Sequence, residues 1–215
     1  MLVSLDCHQK AFMYRIESEL KEVRLEDLRP TQITVGYKEV QAKRESWAKL
    51  KGAERKKAVS EEFFPAVRGP GKKYFVLDRH HAALALTREK AERVQVGLVR
   101  DLSALSTEDF WIFLDHYSWM HCYDAKGKRR PLDSVPRRFA DMQDDPYRSL
   151  AAELRDHGGY SKVDVPFLEF LWANYLRRQV ALSLLTGEPK RALAKSLKLA
   201  SSKECSFLPG WCGKS

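Results

Sequence analysis

Lys73-Tyr74-Phe75-Val76-Leu77-Asp78-Arg79-His80-His81-Ala82-Ala83-Leu84-Ala85-Leu86 is the stretch that decides the fold. Its first five residues are rich in aromatic and apolar side chains, the composition of a half-buried strand. From Ala82 onward alanine and leucine dominate, which predicts a helix over 82–90. Between the two, Asp78 reads as the helix N-cap. Upstream, Pro65-Ala66-Val67-Arg68 forms the partner strand, joined through Gly69-Pro70-Gly71-Lys72, whose glycines permit the positive φ of a tight hairpin. Downstream, Arg93 to Arg100 reads as another strand with Val94, Val96 and Leu98 on one face. Strand, turn, helix and strand in this order make an α+β unit.

Working outward, Phe12 to Ile16 and Val23 to Leu25 are short strand candidates. Pro30 biases Arg29 towards extended geometry, and Gly36 closes a brief Ile33-Thr34-Val35 run. Tyr37 to Lys57 turns helical and charged, with Val40, Trp47 and Leu50 as a sparse apolar face. After residue 101 the signals are helical throughout. Ser106 to Asp109 resembles a capping box, and Phe110, Trp111, Phe113, Leu114 and Tyr117 form an apolar stripe. Asp145-Pro146 reads as N-cap and N1 of a helix ended by Gly158-Gly159. Asp164-Val165-Pro166 starts the longest helix and Glu188-Pro189 the last, with Leu193, Leu197 and Ala200 on one side. The expected organisation is a small mixed-sheet domain over 1–101, followed by an all-helical region over 102–215 packed against it.

The chain has 215 residues, 44% hydrophobic and 31% charged, which excludes wholesale disorder. Its longest apolar runs fall far short of the roughly 20 residues of a membrane span. The N-terminus lacks the apolar segment of a signal peptide, so no membrane association and a cytoplasmic location are expected. A net charge of +9 favours polyanionic partners, a nucleotide or nucleic acid. Cys7, Cys122, Cys205 and Cys212 form no CxxC pair and read as reduced thiols, with Cys122 buried. Oligomeric state leaves no signal.

Asp78-Arg79-His80-His81 is the most suggestive cluster. A strand feeding a helix N-terminus presents free N–H groups and the positive end of the helix dipole, an arrangement that attracts phosphate. Arg79 adds a bidentate donor, and two imidazoles can donate hydrogen bonds or shuttle protons. The plain alternative is a capped helix with two packed histidines. Metal-assisted phosphodiester cleavage would need clustered carboxylates, for which Asp78, Asp144, Asp145 and Glu169 are candidates. Asp144-Asp145-Pro146 is equally well explained by helix capping. His121-Cys122-Tyr123-Asp124 matches no standard zinc spacing. Of three basic runs, Lys126 to Arg138 has six cations against one anion and little apolar content to bury, so Lys126, Lys128, Arg129 and Arg130 are the candidate nucleic-acid contacts. No helix-turn-helix, zinc finger or RNA-recognition signature is present to read bases.

Several segments together carry a family resemblance. They are Leu25 to Gln32, the charged helix after it, Gly69-Pro70-Gly71, Tyr74 to His81, Asp101 to Leu105 with Phe110-Trp111, Asp144 to Leu150, Glu169 to Ala173 and Leu208-Pro209-Gly210. Over roughly residues 14 to 213 the chain resembles the ParB/sulfiredoxin-like superfamily, and within it the bacterial ParB-like nuclease group. The resemblance implies a phosphate-holding turn at Asp78 to Ala82. Partition proteins carry Gly-Glu-Arg-Arg there, sulfiredoxins Gly-Cys-His-Arg and free-serine kinases Asp-Gly-His-His-Arg. This chain is most similar to the last, but Arg79 replaces the glycine and Ala82 the arginine. His80 in place of cysteine speaks against sulfiredoxin chemistry. Gln32 stands where the kinases place a glutamate base, so Glu26 or Glu39 would have to serve. The resemblance therefore implies Asp78, His80 and His81 as catalytic residues and Arg29, Thr31, Gln32 and Arg79 as phosphate ligands. It further implies Mg²⁺ held by Asp78 and a nucleoside triphosphate or diphosphate as cofactor. The expected activity is that of a nuclease or a nucleotide-dependent phosphotransferase. A non-catalytic nucleic-acid binder using its basic patches, or a scaffold that has lost an ancestral activity, is the alternative.

Overall fold

The computed structural model describes residues 20–213. The strand expected at Phe12 to Ile16, like Cys7, lies outside them. The described chain divides into two compact units, 20–124 with 128–144, and 125–127 with 145–213. The division falls near residue 144 where the sequence suggested 101, because Phe110 and Leu114 of the next helix share a core with Phe75, Val67 and Val99.

The first unit is built on β1 (Lys21–Arg24), β2 (Leu28–Arg29), β4 (Phe63–Arg68), β5 (Tyr74–Val76) and β6 (Arg93–Asp101), in the order β1-β6-β4-β5-β2. β1 runs antiparallel to β6, β6 parallel to β4, β4 antiparallel to β5 and β5 parallel to β2. A separate parallel pair joins β3 (Thr34–Val35) to β7 (Gln143–Asp144). The α+β class is thus observed. The β4–β5 hairpin turns where expected, with Gly71 at φ 66°. Gly69 serves packing instead, since a Cβ there would sit 2.6 Å from the Phe75 ring.

Phe64, Ala66, Val76, Val94 and Val96 face one side of the sheet, covered by α1 (Tyr37–Ala48) and α3 (His80–Arg88). Val40, Trp47, Leu84 and Leu86 are the helical side of that core. Val67, Phe75 and Val99 face the opposite side, under α4 (Thr107–His116) and the strand-like 119–122 segment. The alternation expected along β6 breaks at Leu98, which is half-buried, while Val99 is enclosed. A bulge between Ala66 and Val67 leaves Val99 as the extra residue, which shifts the pleat. The charged run 37–57 is two helices, because Gly52 at φ 49° opens α2 (Gly52–Ser60).

In the second unit, Asp145 caps α5 (Pro146–Asp156) by accepting the Tyr147 N–H at 3.0 Å. α6 (Leu168–Gln179) begins after Pro166 rather than at it, with Phe167 as its N-cap at φ 57°. A short α7 (Leu182–Gly187), absent from the sequence reading, precedes α8 (Pro189–Ala200). The core centres on Trp172, stacked on Tyr160 at 4.4 Å and donating to the Pro209 carbonyl at 2.9 Å. No helix among the described residues is long and apolar enough to cross a membrane.

Candidate functional site

β5 ends at Val76, and two residues later the chain reverses into α3. The reversal is made by Arg79, whose φ of 69° and ψ of 29° place it in the left-handed region. Few residues other than glycine adopt that conformation routinely. Asp78 accepts the Arg79 N–H on Oδ1 at 2.7 Å, so it lies one residue before the cap rather than being the cap itself. Arg79 is the N-cap, and its own side chain makes no capping hydrogen bond to the first turn of α3. The helix thus opens, with the positive end of its dipole, at a residue whose guanidinium has no acceptor to offer the first N–H groups.

The two histidines separate sharply. His80 is enclosed, and its Nε2 accepts the Thr31 N–H at 3.1 Å, with the Thr31 hydroxyl 3.3 Å away. That bond requires a bare Nε2. Burial pushes the imidazole down to about 4, against a smaller opposing pull from Asp78, so it is neutral at physiological pH. His80 is thus a structural joint between β5–α3 and the facing loop, where the sequence suggested a catalytic group. Thr31 is equally enclosed, and its hydroxyl donates to the Val76 carbonyl at 2.7 Å. Both its polar groups are committed to holding the loop, so it is not the phosphate ligand expected.

His81 is only partly buried, and its Nε2 lies 3.6 Å from Oε1 of Glu39 on α1. One turn along α1, Lys43 pairs with the buried Glu62, whose other oxygen is 3.4 Å from the Arg79 guanidinium. Arg79 also lies over the Phe63 ring at 4.5 Å. Lys43 and Glu62 are neighbours of the turn that sequence reasoning did not name, and Glu39 had been considered only as a substitute base. The one available signal was the i, i+4 spacing of Glu39 and Lys43, which puts both on one face of α1.

Of the facing loop, Arg29 donates to the Glu26 and Leu28 carbonyls, both at 2.8 Å, and so is occupied with its own backbone. Gln32 bridges His121 through the main chain, and the His121 N–H donates to the Thr31 carbonyl at 2.8 Å. This brings His121, stacked on Tyr123 at 4.7 Å, beside the same loop. The basic segment is a folded hairpin in its 128–130 part, with Tyr123 paired to Arg129. Arg129 pairs with Asp115 at 2.5 Å and Arg130 with Asp124 at 2.5 Å, so two expected phosphate contacts are internally neutralised. Lys126 belongs to the second unit and Lys128 to the first.

The carboxylates considered for a metal are each engaged. Asp78 holds Arg79, Asp144 accepts the Tyr37 N–H at 2.8 Å, Asp145 pairs with Arg177, and Glu169 with Arg155. Among the described residues no group of three or more His, Cys, Asp and Glu is arranged to hold a metal ion. The donor set does not fit a protein-built Mg²⁺ site, which needs several oxygen ligands converging. Thiol chemistry fits no better. Burial pushes Cys122 up to about 11 and also raises Cys205, leaving both as thiols.

A family profile described as "Putative ParB-like nuclease" matches residues 21–178. Among solved structures, the chain is similar to protein Atu1540 from Agrobacterium tumefaciens, at 41% identity and a TM-score of 0.87, over 92% of this chain and 98% of that one. No curated protein matches.

Proposed function

The chain belongs to the ParB-like nuclease family, and from that premise we propose that its Asp78–Ala82 turn binds the phosphate of a nucleotide or nucleic acid. The observation that carries this reading is the start of α3, where the strand-to-helix turn is made by a left-handed Arg79 that is itself the N-cap. The first N–H groups of a helix and the positive end of its dipole favour an anion at such a turn. Arg79 is placed to contribute, because its guanidinium has five donors and a single 3.4 Å contact engages it with Glu62. The chemistry proposed at the bound phosphate is phosphodiester cleavage or phosphoryl transfer, with no step assigned to a metal.

Titration calorimetry with a panel of nucleoside mono-, di- and triphosphates and short oligonucleotides tests the site directly. Arg79→Gly keeps the left-handed turn and removes only the guanidinium. Loss of one charged hydrogen bond is worth about 1.5–3 kcal/mol, so affinity should fall by about ten- to a hundredfold. A parent that binds none of the panel, or a variant that binds as tightly as the parent, defeats the proposal.

A further inference from the structure

We propose that the exposed face of α8, in the second unit, docks the phosphate backbone of double-stranded nucleic acid. Residues 178–203 hold six cations and one carboxylate, Glu188. α8 itself contains no acidic and no aromatic residue. It turns Ala192, Ser196 and Ala200 inward, and Leu193, Leu197 and Leu199 pack on the same core. Lys190, Arg191, Ala194, Lys195, Lys198 and Ser201 are left exposed. At about 100° and about 1.5 Å per residue, the four cations fall within about 140° of the helix circumference and about 12 Å of its axis. Arg191 is held by Glu188 at 2.6 Å, and the Lys195 ammonium donates to the Gln179 carbonyl at 2.6 Å. Among the described residues Lys190, Lys195 and Lys198 form no ion pair. Lys190 also stands in the first turn of α8, where the helix dipole disfavours a cation. A bound polyanion relieves that strain together with the mutual repulsion of the three ammonium groups. In the 126–138 run, by contrast, Arg129 faces Asp115, Arg130 faces Asp124 and Arg138 faces Asp141.

The make-up of this face selects its occupant. A helix that lies on a membrane exposes bulky apolar side chains beside its cations, whereas α8 spends its leucines on the core of its own unit. A single strand is held by aromatic stacking as well as by charge, and α8 offers no ring. A duplex presents closely and evenly spaced phosphates on a stiff surface. A row of cations with the small Ala194 among them can lie along such a surface. Contacts to phosphate carry no sequence information, so the binding is indifferent to base order. The face uses none of the residues of the Asp78–Ala82 turn and is tested separately from it.

The test is fluorescence anisotropy of the full chain with a short labelled DNA duplex, the RNA duplex of the same sequence and either single strand, over a series of salt concentrations. Lys190→Gln combined with Lys198→Gln should reduce the slope of log affinity against log salt by about two, and lower affinity at low salt by about tenfold or more. Ala194→Glu sets a carboxylate one helical turn from both Lys190 and Lys198 and should weaken binding by about fivefold or more. These positions are exposed and the new residues are good helix formers, so the urea midpoints should match the parent's. Binding of either duplex that both variants weaken supports the inference, and the relative affinities tell DNA from RNA. A parent that binds neither duplex, a slope unchanged in the double variant, or a single strand bound more tightly than the duplex overturns it. Sedimentation with phosphatidylserine vesicles supplies the remaining arm. Vesicle binding lost in the variants, with duplex binding unchanged, assigns the face to a membrane and overturns the inference as well. Nucleotide calorimetry with Arg79→Gly reads the turn, so the failure of either site is distinguished from failure of the other.

Discussion

Replacing His80 with glutamine isolates the cost of burying an imidazole beneath the turn. In the folded chain His80 titrates at about 4 because it is cut off from water. In the unfolded chain it titrates near 6.5, so between these values the unfolded state binds more protons. Stability therefore falls as pH drops from 6.5 towards 4, and is unaffected by this group above about pH 7.5. At about 1.4 kcal/mol per pH unit the loss reaches about 2 kcal/mol at pH 5 and about 3 kcal/mol by pH 4. Glutamine carries an amide oxygen near the position of Nε2 and can still accept the Thr31 N–H, but it does not titrate. Urea unfolding followed by circular dichroism at pH 8 and pH 5 reads the difference. His80→Gln should be about 1–2 kcal/mol less stable at pH 8, from imperfect packing, and should lack about 2 kcal/mol of the parent's acid sensitivity. Equal losses in parent and variant between pH 8 and pH 5 would refute the reasoning.

Arg79→Gly should change stability by less than about 1 kcal/mol, since release from the left-handed region offsets the lost Glu62 and Phe63 contacts, whereas Arg79→Ile should lose about 2 kcal/mol or more in the same urea series. Gly210→Ala should destabilise the second unit by about 3 kcal/mol, read by the same unfolding, because its φ is 78° and a Cβ would sit 2.0 Å from the Ser161 carbonyl oxygen. If the 128–130 hairpin touches a polyanion, Lys128→Glu should reduce the slope of log affinity against log salt by about one, measured by fluorescence anisotropy with a labelled oligonucleotide. Arg129→Glu should also weaken folding, by placing a carboxylate against Asp115.

What the sequence disclosed follows from the range of each interaction. The β4–β5 hairpin, the Ser106 cap and the Asp145-Pro146 cap are set by neighbours within a few positions, and each formed where its residues indicated, whereas the cap of α3 moved one residue, from Asp78 to Arg79. α6 starts at Leu168 rather than at Asp164-Val165-Pro166, because Phe167 makes the turn in a left-handed conformation, which no local rule favours for phenylalanine. The bulge that enclosed Val99 depends on the register between β4 and β6, strands separated by a whole helix. The site shows the same divide. Asp78 to His81 were legible because one turn holds them. The surroundings of the two histidines were not, because Thr31 is 49 positions from His80, and Glu39 reaches His81 only after α1 packs on α3.

Arg79 shows why a motif departure needs geometry before it can be interpreted. By sequence, an arginine in place of the relatives' glycine looked like a misplaced phosphate ligand. The backbone gives the glycine its reason, because the residue there sits at a φ of 69°. An arginine tolerates that strain, about 1–2 kcal/mol, only with compensation. Phe63 beneath the guanidinium and the buried Glu62 beside it provide that compensation. The substitution is therefore coupled to two residues at the start of β4. Removing Glu62 should unsettle Arg79 and Lys43 together, so a double-mutant cycle of Glu62→Gln with Arg79→Gly should show coupling of about 0.5 kcal/mol or more. Strict additivity would mean that Arg79 is tolerated for some reason other than these contacts.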